Sequence, residues 1–153
     1  MIQRIQSVYL LIISILGVCL WFFPIASITH DINVYNITTW GIQLTESNQT
    51  IYQFIPYLFL VLLLPIISFS SIFIYKKRIL QMRLNVIAMI LMIFLYGVIY
   101  FYIDFATTII SKNSIIDYKL PIIIPVINLI LCYLAIRAIG KDEALIRSLS
   151  RIR

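Results

Sequence analysis

The sequence predicts an all-α integral membrane protein with four transmembrane helices. Of the 153 residues, 62% are hydrophobic, whereas soluble domains are usually about 45–50% apolar. The apolar residues form four blocks separated by polar segments, and three of the blocks reach the length of about 20 residues at which a helix crosses the hydrocarbon core. Only 12% of residues are charged, and nearly all of them lie outside the blocks. Lipid is therefore the expected solvent for most of the chain.

The first block predicts a span over residues 8–28, after a short lead-in. Trp21, Phe22 and Phe23 lie near its outer end, as expected for an aromatic belt at the membrane surface. Pro24 follows this belt.

The segment 29–53 separates the first span from the second. Apolar residues alternate with polar ones from Ile32 to Thr38 and again from Trp40 to Thr45, a period typical of β-strands. The alternation predicts a short β-hairpin in this first outer loop, and an irregular loop remains an equal alternative.

The second and third blocks predict spans over residues 54–75 and 84–103. Pro65, near the middle of the second span, is expected to kink the helix. Four cations lie between the two spans, at Lys76, Lys77, Arg78 and Arg83. Because these charges resist transfer through hydrocarbon, the two spans should form an antiparallel pair joined on the cytoplasmic side.

The last block predicts a fourth span over residues 120–136. Gly140 is expected to break the helix, which divides the chain into a transmembrane domain over residues 1–140 and a cytoplasmic tail over residues 141–153. In the tail, Leu145, Leu149 and Ile152 share one helical face. The basic residues, which lie mostly off that face, include Arg147, Arg151 and Arg153.

A basic amphipathic helix of this kind is typical of segments that lie on an anionic membrane surface. Docking to a cytoplasmic protein is a second interpretation of the tail, and nucleic-acid binding is the least favoured. The cations between the second and third spans are expected to meet the same lipid or partner surface.

The positive charges predict the orientation. With the spans placed as above, ten of the twelve Lys and Arg residues fall on one side, and only Lys112 and Lys119 fall on the other. Cytoplasmic segments carry the excess of positive charge, so both termini should be cytoplasmic. The ten are Arg4, Lys76, Lys77, Arg78, Arg83, Arg137, Lys141, Arg147, Arg151 and Arg153.

Three segments together resemble a known family: residues 1–11, the basic segment from Tyr75 to Arg83, and the tail from Ala135 to Arg153. They are similar to short four-span bacterial inner-membrane proteins known only as a domain of unknown function. The resemblance extends over essentially the whole chain. It implies the cytoplasmic membrane of a Gram-negative host and implies no activity.

Two polar residues near the spans are candidates for chemistry. Asp104, at the predicted outer end of the third span, is a candidate proton or cation site, although an acid at that position also simply marks the interface. Asn128, near mid-membrane in the fourth span, is a candidate substrate contact. An amide in hydrocarbon usually bonds to a neighbouring helix instead. The predicted depths differ by roughly 10–14 Å at about 1.5 Å per residue, so the two residues should not form one site.

The sequence argues against an enzyme. It contains one histidine, His30, and no nucleophile–base pair, phosphate loop or His-Glu-x-x-His pattern. No metal site and no cofactor are expected, because zinc needs more than a single His–Asp pair.

The favoured function is an accessory or scaffold protein that binds a membrane or cytoplasmic partner, including a second copy of itself. The alternative is a small oligomeric transporter or channel, which Pro65, Asp104 and Asn128 favour.

Overall fold

In the computed structural model, the chain forms four long helices and a five-stranded antiparallel sheet. The structure describes residues 3–31, 33–46, 49–75, 77–111 and 114–150, with side chains between residues 5 and 145 of these ranges. The helices are α1 (Gln3–Phe22), α2 (Ile55–Phe73), α3 (Arg78–Ile110) and α4 (Ile124–Ser150), and a 3-10 helix, Leu120–Ile123, precedes α4. The strands are β1 (Ala26–His30), β2 (Asn33–Thr38), β3 (Gly41–Leu44), β4 (Thr50–Tyr52) and β5 (Ile115–Tyr118).

The helices form a ring in which α1 contacts α2 and α4, and α3 contacts the same two helices. One end of the ring, the turn end, carries the start of α1, the α2–α3 turn and the end of α4. The other, the sheet end, carries the sheet. All four helices are long and apolar enough to cross a membrane. Large apolar side chains on the outside of the ring, such as Ile90 and Phe94, are 60% exposed, as a lipid-facing surface requires.

The sheet has the strand order β4-β3-β2-β1-β5. Because β5 comes from the connection between α3 and α4 and the other strands from the connection between α1 and α2, the two connections at the sheet end meet in one sheet. Ala26, Ile28, Ile37 and Ile42 share one face of it and are fully buried. This face belongs to the same apolar core as the helices.

The predicted β-hairpin is confirmed, and the all-α class is wrong. Strands β2 and β3 pair from Tyr35↔Leu44 to Thr38↔Gly41, where the alternation predicted them. Strands β1, β4 and β5 were not predicted. Each is at most five residues long, and the partners of β5 lie far away in the sequence, so local periodicity does not reveal it.

The first span was predicted to extend to residue 28, but α1 ends at Phe22. The last helical hydrogen bond runs from the Phe23 amide to the Cys19 carbonyl, at 3.2 Å. Pro24 disfavours helical backbone in the residue before it. The apolar residues that follow form β1, which pairs with β2 on one side and β5 on the other.

The second span is close to the predicted 54–75, whereas α3 is much longer than the predicted 84–103. At about 1.5 Å per residue, its 33 residues extend roughly 50 Å, against a hydrocarbon core of about 30 Å. Arg78, Arg83 and Asp104 are therefore helical residues near the two ends of α3, and Asp104 does not end the helix.

The helix break predicted at Gly140 does not occur, because α4 continues to Ser150. A glycine inside a helix costs about 1 kcal/mol relative to alanine. Packing on both sides of Gly140 offsets this cost, since Ile139 is fully buried and Asp142 is 7% exposed.

Pro65 lies inside α2, which continues through it to Phe73. Helix α1 packs closely against α2 at this proline, because a Cβ on Gly17 would lie 3.2 Å from the Pro65 Cβ. The Ser14 hydroxyl on α1 donates to the Pro65 carbonyl at 3.4 Å.

Candidate functional site

Buried polar side chains extend through the bundle from the turn end to mid-depth, and we call this set the polar file. All four helices contribute, and each member is at most 9% exposed. Polar groups inside a membrane bundle are costly unless they pair with one another. The members are Gln6, Ser14, Ser68, Ser71, Gln81, Asn85, Asn128 and Asp142.

The first contact in the polar file joins α1 to α4 at the turn end. The Gln6 amide Nε2 donates to the Asp142 carboxylate Oδ2 at 2.5 Å. Asp142 is the one charged residue that is buried among the described side chains. A buried carboxylate requires such a donor, so the contact fixes α1 against the end of α4.

The second contact joins α2 to α3. The Ser71 hydroxyl donates to the Asn85 Oδ1 at 3.3 Å, and the Cys132 thiol of α4 donates to the Asn85 backbone carbonyl at 3.2 Å. Three helices therefore meet at Asn85. These are interhelical bonds of the kind that holds membrane bundles together.

Asn128 lies where the polar file reaches mid-depth. It is 4% exposed, and its Oδ1 has no hydrogen-bond partner among the described residues. It lines a cavity of about 10 Å³, together with Gly17, Pro65 and Met92. A volume of about 10–15 Å³ is the minimum for a single water, so the bundle is nearly closed at this depth.

Asp104 lies elsewhere, on the exposed face of α3 near the sheet end. Its backbone carbonyl accepts hydrogen bonds from Thr107 Oγ1 at 2.7 Å and Thr108 Oγ1 at 3.0 Å. It lines an open pocket of about 300 Å³ that also includes Tyr96 and Tyr100. Asp104 and Asn128 line different cavities, and the structure does not bring them together.

The predicted basic residues are only partly within the described structure. Lys77 and Arg83 are exposed at the turn end. Arg78 is half-buried, and its Nη1 is enclosed without a hydrogen-bond partner in the described part of the chain. Lys76, Arg151, Arg153 and the side chain of Arg147 lie outside the described residues. Their role in binding lipid or a partner stays a prediction.

A row of polar residues crosses all five strands on the face opposite the apolar one. The strand register places Asp117 opposite Ser27, Ser27 opposite Asn36, Asn36 opposite Gln43, and Gln43 opposite Thr50. Gln43 Nε2 donates to Thr50 Oγ1 at 3.4 Å. We call these five residues the polar row.

Further hydrogen bonds hold the polar row in place from neighbouring segments. The Lys119 ammonium donates to the Asn36 Oδ1 at 3.4 Å, and the Asn36 Nδ2 donates to Thr45 Oγ1 at 3.3 Å. The row therefore combines amide, hydroxyl and carboxylate groups, with the Lys119 ammonium bonded to its Asn36 member.

The sheet is attached to the ends of the helices. Thr39 Oγ1 donates to the Leu20 carbonyl at 2.8 Å, and the Tyr102 hydroxyl donates to the Thr38 carbonyl at 3.4 Å. The Phe54 ring stacks on Tyr102, with ring centroids 4.7 Å apart. Because the β2–β3 turn is held by α1 and α3 together, the sheet has a defined position on the bundle.

Sequence reasoning identified Asn128 as a candidate but missed the rest of the polar file and the polar row. A partial signal for the file was present, since Gln81 and Asn85 are four residues apart, and so lie on one helical face. Which residues on other helices they meet depends on tertiary packing. The row required the pairing of β1 with β5, which the sequence alone does not provide.

Among the residues that the structure describes, no group of three His, Cys, Asp or Glu side chains could hold a metal ion. The His30 Nε2 lies 3.5 Å from the Asp31 Oδ2.

Comparison with known proteins agrees with the resemblance drawn from the sequence. No curated protein and no solved structure matches the chain significantly. One family does match, over nearly the whole length of the chain. Since its profile extends from residue 2 to residue 152, the protein belongs to the family described as "Domain of unknown function (DUF4293)".

Proposed function

We propose that this protein is a non-enzymatic accessory protein of a bacterial inner (cytoplasmic) membrane that binds a partner through the polar row. The observation that carries the proposal is the sheet, which is built from two separate connections and bonded to the ends of α1 and α3. The bundle beneath it has a cavity of only about 10 Å³ beside Asn128. A rigid surface above a closed bundle favours binding over conduction.

The side of the membrane follows from charge. The excess of Lys and Arg in segments at the turn end favours a cytoplasmic turn end, so the sheet faces the outside. The polar row then meets an extracytoplasmic partner. Four of the five members reach the surface, whereas Ser27 is only 6% exposed. The amide, hydroxyl and carboxylate groups of these four fit a polar surface or an extended polypeptide segment of another protein.

A photo-cross-linking amino acid at Asp117 or Thr50 should capture this partner in intact membranes. Both positions are exposed and lie at opposite ends of the polar row. The expected result is one discrete cross-linked species that both positions share. The same amino acid at Ile90, on the lipid-facing side of α3, should give none.

A charge reversal within the polar row tests whether the partner binds the row itself or responds only to the net charge of the surface. Asp117→Lys should reduce cross-linking from Thr50 about tenfold, which corresponds to about 1.4 kcal/mol of binding. Glu46→Lys makes the same charge change at an exposed residue outside the row and should leave the yield unchanged. Equal losses in both variants, or no shared species in the unmodified chain, would refute the docking proposal.

Truncation after Gly140 is not a clean test of partner binding. It removes Asp142, whose carboxylate accepts the hydrogen bond from Gln6, and so it disturbs the bundle itself. A lost partner could then reflect lost structure.

One observation favours the second candidate, a small oligomeric transporter or channel. Asn128 is a buried amide whose Oδ1 has no partner among the described side chains, and intramembrane polar residues of this kind often mark ion or substrate paths. Because the cavity beside it is about 10 Å³, conduction requires a path between copies or an opening of the bundle.

The transport alternative makes a direct prediction for potassium flux into vesicles of the reconstituted protein. If Asn128 lies on the path, Asn128→Leu should abolish the flux while the protein stays folded, since leucine has a similar volume and removes an unpaired polar atom. Asp104→Asn should also abolish it. Flux indistinguishable from that of empty vesicles, measured with a potassium-sensitive dye, would reject this alternative.

A further inference from the structure

A groove lies between α1 and α4 at the turn end, apart from the polar row. It has a volume of about 450 Å³, within the range of about 300–1,000 Å³ that small-molecule sites occupy. Its walls are mainly apolar and include Ile5, Tyr9, Leu134 and Leu145. Ile5 and Leu145 are 52% and 54% exposed, so the groove is open at the side of the bundle.

Two cations border this groove. Arg137 and Lys141 both line it, and their separation of four residues places them on one face of α4. Both side chains are exposed, and neither has an ion-pair partner among the described residues. Asp142 also lines the groove, but it is 7% exposed and its carboxylate accepts the hydrogen bond from Gln6.

Tyr9 adds a third polar group. Since Gln6 meets Asp142 and the helices are antiparallel, Tyr9 lies about 4.5 Å deeper than that contact, at about 1.5 Å per residue. On the same scale, Lys141 lies about 1.5 Å and Arg137 about 7.5 Å deeper than that contact, so Tyr9 lies between the levels of the two cations. The groove therefore holds both cations and the phenol within about 6 Å of depth, along a mainly apolar wall.

We propose that this groove binds a glycerophospholipid with an anionic headgroup. The groove combines the chemical groups that such a lipid needs, two cations and a phenol beside an apolar wall. Arg137 and Lys141 pair with the phosphate and headgroup, the Tyr9 hydroxyl between them donates to a phosphate or ester oxygen, and an acyl chain lies against Leu134, deeper in the groove. Basic pockets between transmembrane helices bind anionic lipids by the same combination of charge and apolar surface. The inference does not depend on the polar row or its partner.

The charge requirement is testable with full-length protein in nanodiscs containing equal amounts of phosphatidylglycerol and phosphatidylcholine. Native mass spectrometry after release into detergent should show one phosphatidylglycerol retained, about tenfold above phosphatidylcholine. Arg137→Gln/Lys141→Gln should abolish this preference. Lys77→Gln/Arg83→Gln removes the same charge from exposed residues of the same end, outside the groove, and should keep it.

A second variant tests whether the retained lipid occupies the groove itself. Ala138→Phe keeps both cations but fills the groove that Ala138 lines, so retention of phosphatidylglycerol should fall at least as far as in the Arg137→Gln/Lys141→Gln variant. If the Lys77→Gln/Arg83→Gln control lost the preference for phosphatidylglycerol as completely as Arg137→Gln/Lys141→Gln, the lipid would be held by a general attraction to positive charge at this end. That result would overturn the proposal. Absence of a retained lipid in the unmodified protein, or full retention by Ala138→Phe, would overturn it as well.

Discussion

Replacing Gly41 with valine is expected to detach β4 from the sheet. Gly41 has a φ of +139°, a conformation that residues with a Cβ rarely adopt. A Cβ there would lie 2.3 Å from the Tyr52 carbonyl oxygen and 2.6 Å from the Thr50 Cγ2. Strained backbone and overpacking each cost about 1–3 kcal/mol. Strand β4 pairs only with β3 and is short, so releasing it relieves the clash.

The measurement is backbone hydrogen exchange in detergent or nanodiscs. In Gly41→Val, a loss of about 2–3 kcal/mol corresponds to roughly a hundredfold faster exchange over β3 and β4. The pairing of β1 with β5 should be kept. Contact between the Tyr52 and Phe105 rings, whose centroids are 5.1 Å apart, should be lost.

A matched control is available at Gly97. An added Cβ there meets nothing within 4 Å, and Gly97 lies inside α3, where alanine is favoured over glycine by about 1 kcal/mol. Gly97→Ala should therefore leave the sheet intact and keep or raise the melting temperature. Slow exchange of β4 in Gly41→Val, equal to that of the unmodified protein, would contradict the described geometry of this turn.

Replacing Gln6 with leucine is the second substitution with a large expected effect. It removes the hydrogen bond donated to the Asp142 carboxylate and leaves this 7% exposed group without a partner. Leaving a buried charge unpaired costs about 3–5 kcal/mol. We expect a loss of about 2–4 kcal/mol, toward the lower end because the turn end lies near the membrane surface, where water reaches part of the charge.

The double variant Gln6→Leu/Asp142→Leu tests the cause of this loss. It should recover most of the stability, because no buried charge remains and two apolar side chains can pack together. Unfolding midpoints in one detergent would provide the comparison, through a double-mutant cycle.

Gln53→Leu makes the same substitution at an exposed residue between β4 and α2 and serves as the control. It should change the free energy of unfolding by less than about 0.5 kcal/mol. Equal stability of Gln6→Leu and the unmodified chain would mean that the Gln6–Asp142 contact does not hold α1 to α4.

Hydropathy and length were sufficient to predict the four helices, because the cost of placing backbone and side chains in lipid depends on local composition. The alternation from Ile32 to Leu44 likewise predicted the β2–β3 hairpin, whose two strands pair with each other through a short turn. Helix ends were less predictable. Phe23 and Pro24 signalled the end of α1, but the apolar residues after them suited either a longer span or a strand.

Tertiary structure decided the features on which the proposals depend. Strand β1 exists because β2 and β5 flank it, and β5 lies nearly ninety residues further along the chain. Helix α4 passes Gly140 because the side chains around it are buried. Arg137 and Lys141 become parts of a lipid groove only beside α1.

The amino-acid sequence alone was therefore sufficient to predict that lipid surrounds most of this chain, that the chain forms four long helices and that it contains one β-hairpin. Each of these depends on residues that are neighbours in the chain. The five-stranded sheet, the polar file, the polar row and the groove depend on pairs such as Gln6 with Asp142 or Ser27 with Asp117. No local pattern encodes such pairs, because their energy arises only after the helices have packed and both connections at the sheet end have joined one sheet.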